Sequence, residues 1–223
     1  NTIITPCLGL FPSSDHLVGT SYLAGPEYMI FQDEYNQYKG HQKNIISPAN
    51  KVLITFGGSD PFNITIQSLK AIRLIDDRKL EVAVIIGTNF SRELNQSIRE
   101  VTKEDNHHWN LIEAPSSLAK WIHWCDVAIS ATGLTKYELA LLGTPGIFLS
   151  IDEMHVDMNE AFESVKTGLH LGVYDKVSIE QLKTSLEQLL KDLTKRTQMS
   201  LNGMALVDFQ GVDRILNLLS EVN

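Results

Sequence analysis

Short apolar runs alternate with amphipathic stretches along most of the chain. The runs are Val52–Phe56 (VLITF), Val82–Ile86 (VAVII), Trp109–Ile112 (WNLI), Val127–Ala131 (VAISA), Ile147–Ile151 (IFLSI) and the weaker Leu169–Val173. Continuous apolar runs of this length suit strands covered on both faces. Helical patterns fall between and after them, at about 63–75, 91–103, 117–124, 134–142, 158–167 and 178–192. In the last, Ile179, Leu182, Leu186, Leu189 and Leu190 share one face, and Ser178 stands three residues before Gln181 in capping-box spacing. Strand–helix alternation with short connections predicts an α/β fold with a doubly wound parallel sheet over 51–200.

Two segments stand outside that alternation. Residues 1–50 offer a strand at Thr2–Thr5 and then loop signals: P-S-S-D at 12–15, G-P at 25–26 and Pro48. They read as the tail of a neighbouring domain plus a linker. Residues 201–223 read as one or two further helices over Leu201–Leu219, broken near Gly211, that pack across the sheet edge or back toward the linker.

Composition narrows the class. Of 223 residues 43% are hydrophobic, which excludes global disorder. No apolar run approaches the roughly 20 residues that span a bilayer. Acidic residues outnumber basic ones 27 to 19, giving a net charge of −8, and no basic stretch invites a nucleic-acid backbone. Cys7 and Cys125 lack CxxC spacing, which argues against a cysteine zinc site and for a reduced, cytoplasmic compartment. The chain opens on Asn1, not Met, and so reads as processed or truncated from something longer.

In a doubly wound sheet, ligands bind beyond the carboxyl ends of the strands. After VLITF comes Gly57-Gly58-Ser59-Asp60-Pro61. Its glycines admit close backbone approach, and the next helix would offer free N–H groups to an anion. Asp60 is either a ligand-facing carboxylate or an N-cap with Pro61 at N1; its repulsion of phosphate favours the cap. After VAIS comes Ser130-Ala131-Thr132-Gly133-Leu134-Thr135, a second small-residue cradle running into a helix with Glu138. Glu138 either accepts both hydroxyls of a ribose or is a solvated helix residue. Two such loops facing one crevice suit a diphosphate. Neither matches GxGxxG or the P-loop, so no NAD-type cofactor is expected. A third loop, Asp152-Glu153-Met154-His155-Val156-Asp157, has hard-metal residue types, but Asp157 and Glu160 in capping-box spacing read better, and no metal is expected. His107 and His108 read as surface residues. No GxSxG or serine triad can be assembled.

These loops, in this order, resemble the C-terminal, Rossmann-like half of GT-B-type proteins that bind UDP-sugars. The strongest resemblance is to the UDP-sugar hydrolase family of pseudaminic acid biosynthesis. Tyr22–Phe31 (YLAGPEYMIF), Leu53–Thr65 (LITFGGSDPFNIT), Cys125–Gly146 (CDVAISATGLTKYELALLGTPG), Asn159 followed by Ala161, and Ala205–Arg214 (ALVDFQGVDR) carry it. The lipid-intermediate N-acetylglucosaminyltransferase of peptidoglycan synthesis is similar in plan. The resemblance implies that Gly57, Gly58 and Ser59 face the sugar-diphosphate. It puts Thr132, Gly133, Leu134 and Thr135 on the phosphates, Glu138 on the ribose, Ala114, Pro115 and Ser116 beside the uracil, and Asn159 and Glu160 toward the sugar.

Three positions depart from the family: Leu134 stands where Ser is usual, Glu160 where Gln is usual, and Pro115 lacks an N–H near the expected base contact. They imply a different sugar or a degenerate site. The family's proposed base, a histidine in a G-x-G-H loop, has no counterpart here, so no residue of this chain is expected to be catalytic and an N-terminal domain of the same protein is expected as partner. The resemblance thus implies the UDP-sugar-binding domain of a hydrolase in nonulosonic acid or surface polysaccharide biosynthesis. The alternatives are the donor domain of a GT-B glycosyltransferase or a non-catalytic nucleotide-sugar-binding domain.

Overall fold

The computed structural model describes residues 2–9, 19–103 and 106–220; the P-S-S-D turn at 12–15 lies outside them. Strands β1 (Thr2–Thr5) and β2 (Ser21–Ala24) pair parallel as a small separate sheet. The main sheet has six strands, all parallel: β3 (Lys51–Thr55), β4 (Glu81–Ile86), β5 (His108–Glu113), β6 (Val127–Ser130), β7 (Gly146–Ser150) and β8 (Gly168–Val173), in the order β5-β4-β3-β6-β7-β8. Register centres on Val52, opposite Val82 on one side and Val127 on the other.

Both sheet faces are covered, which is why the strands read as unbroken apolar runs. Val52, Ile54, Val82, Val84, Val127, Ile129, Ile147 and Leu149 point to one layer; Leu53, Ala83, Ile85, Ala128 and Phe148 point to the other. The first layer packs on α1 (Ile64–Arg73) through Leu69 and Ile72, and on α2 (Arg92–Val101) through Leu94 and Ile98. The second packs on α3 (Ala119–Trp124) through Ile122, on α4 (Thr135–Leu141) through Tyr137, Leu139 and Ala140, and on α5 (Val156–Ser164) through Phe162. The apolar stripe of α6 (Ile179–Lys191) joins the first layer, and Ser178 caps that helix by accepting from the Gln181 N–H at 3.1 Å. Burying one such leucine contributes about 1.5–3 kcal/mol.

The C-terminal helices differ from the expected span. Helix α7 (Leu193–Leu206) starts well before Leu201, because Asp192 accepts from the Lys195 N–H and restarts the helix directly after α6. Helix α8 (Gly211–Ser220) follows a break at 207–210. It packs on the linker, meaning the β2–β3 connection at 25–50: a Cβ at Gly211 would meet the Met29 carbonyl oxygen at 2.1 Å, and Arg214 donates to the Glu27 carbonyl at 2.8 Å while pairing with Asp208. The linker is also held at its far end. Asp126 accepts from the Asn50 and Lys51 N–H groups, and Lys43 donates to the Ile122 and His123 carbonyls at the end of α3. Tyr35 is fully buried in the second layer. His107 is not the expected surface residue. It is buried, accepting from the Leu80 N–H through Nδ1 and placing Nε2 2.9 Å from the Ile72 carbonyl, so it ties α1 to the start of β4. His108 is exposed.

Arg196 shows how strongly the C-terminal pair is tied in. Its side chain is fully buried and donates to the carbonyls of Leu189, Leu190 and Ile46, so one guanidinium caps α6 and fastens the linker. Arg196→Met leaves those carbonyls unsatisfied and should lower the unfolding free energy by about 2–4 kcal/mol. Urea denaturation checks this; a loss below about 1 kcal/mol would mean that water replaces the guanidinium.

Candidate functional site

The strand order reverses direction between β3 and β6: β4 and β5 extend to one side, β7 and β8 to the other. The loops leaving β3 and β6 therefore diverge onto opposite faces and leave a crevice between them. A cavity of about 330 Å³ lies there. Of the residues expected at a site, it gathers Gly57, Ser59, Thr132, Gly133 and Thr135, and adds Asp60, Phe62 and His155. Gly58, Leu134, Glu138, Asn159, Glu160 and the 114–116 loop lie outside its lining.

The first loop is built on two glycine constraints. Gly57 sits at φ 74, a conformation that L side chains disfavour. Gly87, after β4, packs against the loop's back. A Cβ there would lie 2.4 and 2.5 Å from the Gly58 and Gly57 carbonyl oxygens, and the Asn89 N–H donates to Gly58 O at 2.8 Å. Asp60 is buried and caps α1, accepting from the Ile64 N–H at 2.9 Å and the Thr65 N–H at 2.8 Å. Both amides are thus taken, which corrects the expectation that this helix start is open to an anion. Pro61 is not at N1 either, since α1 begins at Ile64 after Asn63 at φ 55.

The second loop stands on a buried polar chain. Lys136 is 3% exposed; its Nζ donates to the Met158 carbonyl at 2.8 Å and lies 3.4 Å from Asn159 Oδ1 and 4.7 Å from the Phe162 ring centre. Burial pulls its pKa down to about 8. Asn159 is fully buried, and its Nδ2 donates at 3.0 Å both to Thr132 Oγ1 and to Ser150 Oγ. It therefore lies under the cavity and does not face a sugar within it. Among the described residues the cavity lining contains no lysine or arginine.

Glu138 is not a solvated helix residue. It is half-buried on α4, and burial raises its pKa, partly offset by the Tyr35 and Thr135 hydroxyls. Tyr35 Oη approaches this carboxylate without reaching good hydrogen-bond geometry, and burial followed by the carboxylate's charge pushes the phenol pKa up. The capping box expected from Asp157 and Glu160 is not formed. Asp157 lies inside α5, and Asp152 is the capping residue one turn earlier, accepting from the His155 N–H at 3.1 Å and standing 2.6 Å from His155 Nδ1. Glu160 is exposed; burial lowers the pKa of the nearby His170, opposed by the charges of Glu163 and then Glu160. Leu134 is exposed. Among the described residues no group of three or more His, Cys, Asp or Glu side chains could hold a metal. The 114–116 loop carries strain: Ala114 sits at φ 41, held by its N–H bond to the Ile86 carbonyl at 2.8 Å. Strain of this kind collects at ligand-binding loops. Sequence reasoning missed Lys136, because a lysine in a helical pattern reads as solvated. It also missed Ser150, which looks like any residue closing a buried strand.

No family model matches the chain. It is 24% identical over 203 residues to the spore coat polysaccharide biosynthesis protein SpsG of Bacillus subtilis, covering 91% of this chain and 59% of that protein. It is 25% identical over 192 residues to the Helicobacter pylori pseudaminic acid cytidylyltransferase and UDP-2,4-diacetamido-2,4,6-trideoxy-beta-L-altropyranose hydrolase, covering 81% of this chain and 33% of that one. The chain thus spans between a third and three-fifths of these relatives' lengths. Among solved structures, Acinetobacter baumannii MurG matches 99% of this chain and 60% of its own at 12% identity and a TM-score of 0.69. Staphylococcus aureus MnaA, in a co-structure with UDP, covers 82% of this chain and 49% of its own at 16% identity and a TM-score of 0.63. The fold is therefore the Rossmann-like α/β fold seen in GT-B proteins, and these two relatives by sequence are sugar-biosynthesis proteins. Among the described residues no helix is long and apolar enough to cross a membrane.

Asp60 separates capping from ligand contact. Asp60→Ala removes two charge-assisted bonds to α1 and should cost about 2 kcal/mol of stability, the upper range for a cap. Chemical denaturation measures it. Unchanged stability combined with lost ligand affinity would make Asp60 a ligand residue instead.

Proposed function

We propose that this chain is the UDP-sugar-binding domain of a hydrolase that releases UDP from an amino-deoxy sugar in nonulosonic acid or surface polysaccharide biosynthesis, and that it corresponds to the C-terminal half of a GT-B fold. The observation that carries the reading is the cavity at the strand-order reversal, walled by Gly57 and Ser59 on one side and Thr132, Gly133 and Thr135 on the other. Small residues there leave room for phosphate oxygens beside backbone and hydroxyl groups. The Helicobacter pylori relative is named in part as a UDP-sugar hydrolase, and the Staphylococcus aureus neighbour was solved with UDP, which supports the reading.

In this reading the diphosphate occupies the cavity, Glu138 accepts the ribose hydroxyls, and the strained 114–116 loop edges the uracil. Glu160 and Leu134, exposed beside the cavity's two supporting helices, face whatever closes over the sugar. Catalysis then requires groups on the far side of the scissile bond, supplied by an N-terminal domain of the same protein. The buried chain under Thr132 is intact, which supports a working nucleotide site over a degenerate one.

Two measurements test this. Calorimetric titration should show UDP binding in preference to ADP or NAD; no UDP binding at millimolar concentration with the fold intact would overturn the reading. Glu138→Gln should weaken UDP binding by about 1.5–3 kcal/mol, the range for hydrogen bonds to a charged group. The sign on stability is opposite. A carboxyl whose pKa is raised on folding stabilises only below its unfolded value near 4.3 and loses that contribution as pH rises through the folded value. Glu138→Gln should therefore raise the melting temperature at pH 7 and lose that advantage in acid. Lower stability at pH 7 with unchanged UDP affinity would make Glu138 structural.

A further inference from the structure

Lys136 is a buried cation whose two hydrogen-bond partners among the described residues, the Met158 carbonyl at 2.8 Å and Asn159 Oδ1 at 3.4 Å, are both neutral acceptors. An ammonium has donors only. The atom of Asn159 that faces it must then be the carbonyl oxygen, and the amide nitrogen must face the other way. There it meets Thr132 Oγ1 and Ser150 Oγ, each at 3.0 Å, and its two hydrogens are both used. Both hydroxyls therefore accept from Asn159. The hydrogen of Ser150 has an acceptor of its own in the His155 carbonyl at 3.3 Å, and His170 Nε2 lies 2.9 Å from the same oxygen. The hydrogen of Thr132 meets no acceptor among the described residues, and Thr132 lines the cavity.

We propose that Lys136, acting through Asn159, is the positioning residue that makes Thr132 an obligate hydrogen-bond donor into the cavity, and so sets the site's preference for a phosphate oxygen. The step rests on the nucleotide-sugar reading above and deepens it. If the Asn159 amide turned over, its oxygen would face Thr132, draw the hydroxyl hydrogen out of the cavity and leave a lone pair facing the ligand. A phosphate oxygen, an acceptor, would be repelled. Lys136 forbids that turn because it cannot accept. A lysine beneath the loop thereby fixes a polarity without touching the ligand.

The test compares UDP with uridine, which share the base and ribose and differ in the phosphates. Thr132→Val removes the hydroxyl and should weaken UDP binding about tenfold or more, as for a hydrogen bond to a charged group, with uridine unchanged. Lys136→Met frees the amide to turn; Asn159→Asp presents only acceptors to Thr132 and keeps a partner for Lys136. Each should reproduce the Thr132→Val loss for UDP and spare uridine. Combined with Thr132→Val, each should add nothing further, because both act through one hydrogen. Should Lys136→Met fail to fold, Asn159→Asp carries the same comparison. Equal losses for UDP and uridine, or losses that add to Thr132→Val, would overturn the proposal by making the chain structural. If the unaltered protein binds UDP and Thr132→Val binds it equally well, the relay fails while the functional reading stands. If the unaltered protein binds neither UDP nor uridine, both fall.

Discussion

The reversal of winding between β3 and β6 is the constraint on which the rest of this molecule depends. A parallel sheet sends every strand's carboxyl end to the same edge, and right-handed crossovers send each following helix to a face set by the winding direction. Where that direction changes, neighbouring loops separate and a crevice opens without any side chain being spent on it. Here the two central strands are also among the most buried, with Val52, Leu53, Ile54, Val127, Ala128 and Ile129 all fully covered. The loops that line the cavity are thus anchored in the part of the fold with the least freedom.

Each loop is then held from behind. The glycine loop after β3 is gripped from behind by Gly87 and by Asn89, whose N–H bonds the Gly58 carbonyl, and is pinned to α1 by the Asp60 cap, so its shape is set before any ligand arrives. The loop after β6 is held by Asn159, reaching up from α5. Neither loop depends on its own flexibility for shape, and a preorganised site loses less entropy on binding.

The layered fold was legible because its strands are buried on both faces, which writes six apolar runs into the sequence. The capping of α6 by Ser178 was legible for a related reason: the signal is local. What was not legible depended on burial that the helical period conceals. Lys136 and Glu138 look like the polar positions of an amphipathic helix, yet α4 is covered by α5 and by the linker. His107 looks like a surface histidine until Leu80 and Ile72 are seen on either side of its ring. Asp157 has capping spacing, but Asp152 holds the turn before it, so α5 begins earlier. Strand β2, four residues long, lacks any alternation that marks it, and only its pairing with β1 defines it.

Helix α4 concentrates the consequences. Lys136 and Glu138 are two residues apart, and residues at that spacing do not face each other on a helix. They cannot neutralise one another. Burial lowers the pKa of the first and raises that of the second, so each disfavours the charge it carries at neutral pH. Leucine at either position would avoid that desolvation cost. A short helix that retains one buried and one half-buried charge, the first turned to α5 beneath the cavity and the second to Tyr35 in the linker, gives up stability on both sides. On α5 the return is a hydroxyl locked as a donor. On the linker side it is a carboxylate kept partly dry, in surroundings where hydrogen bonds are stronger than in water.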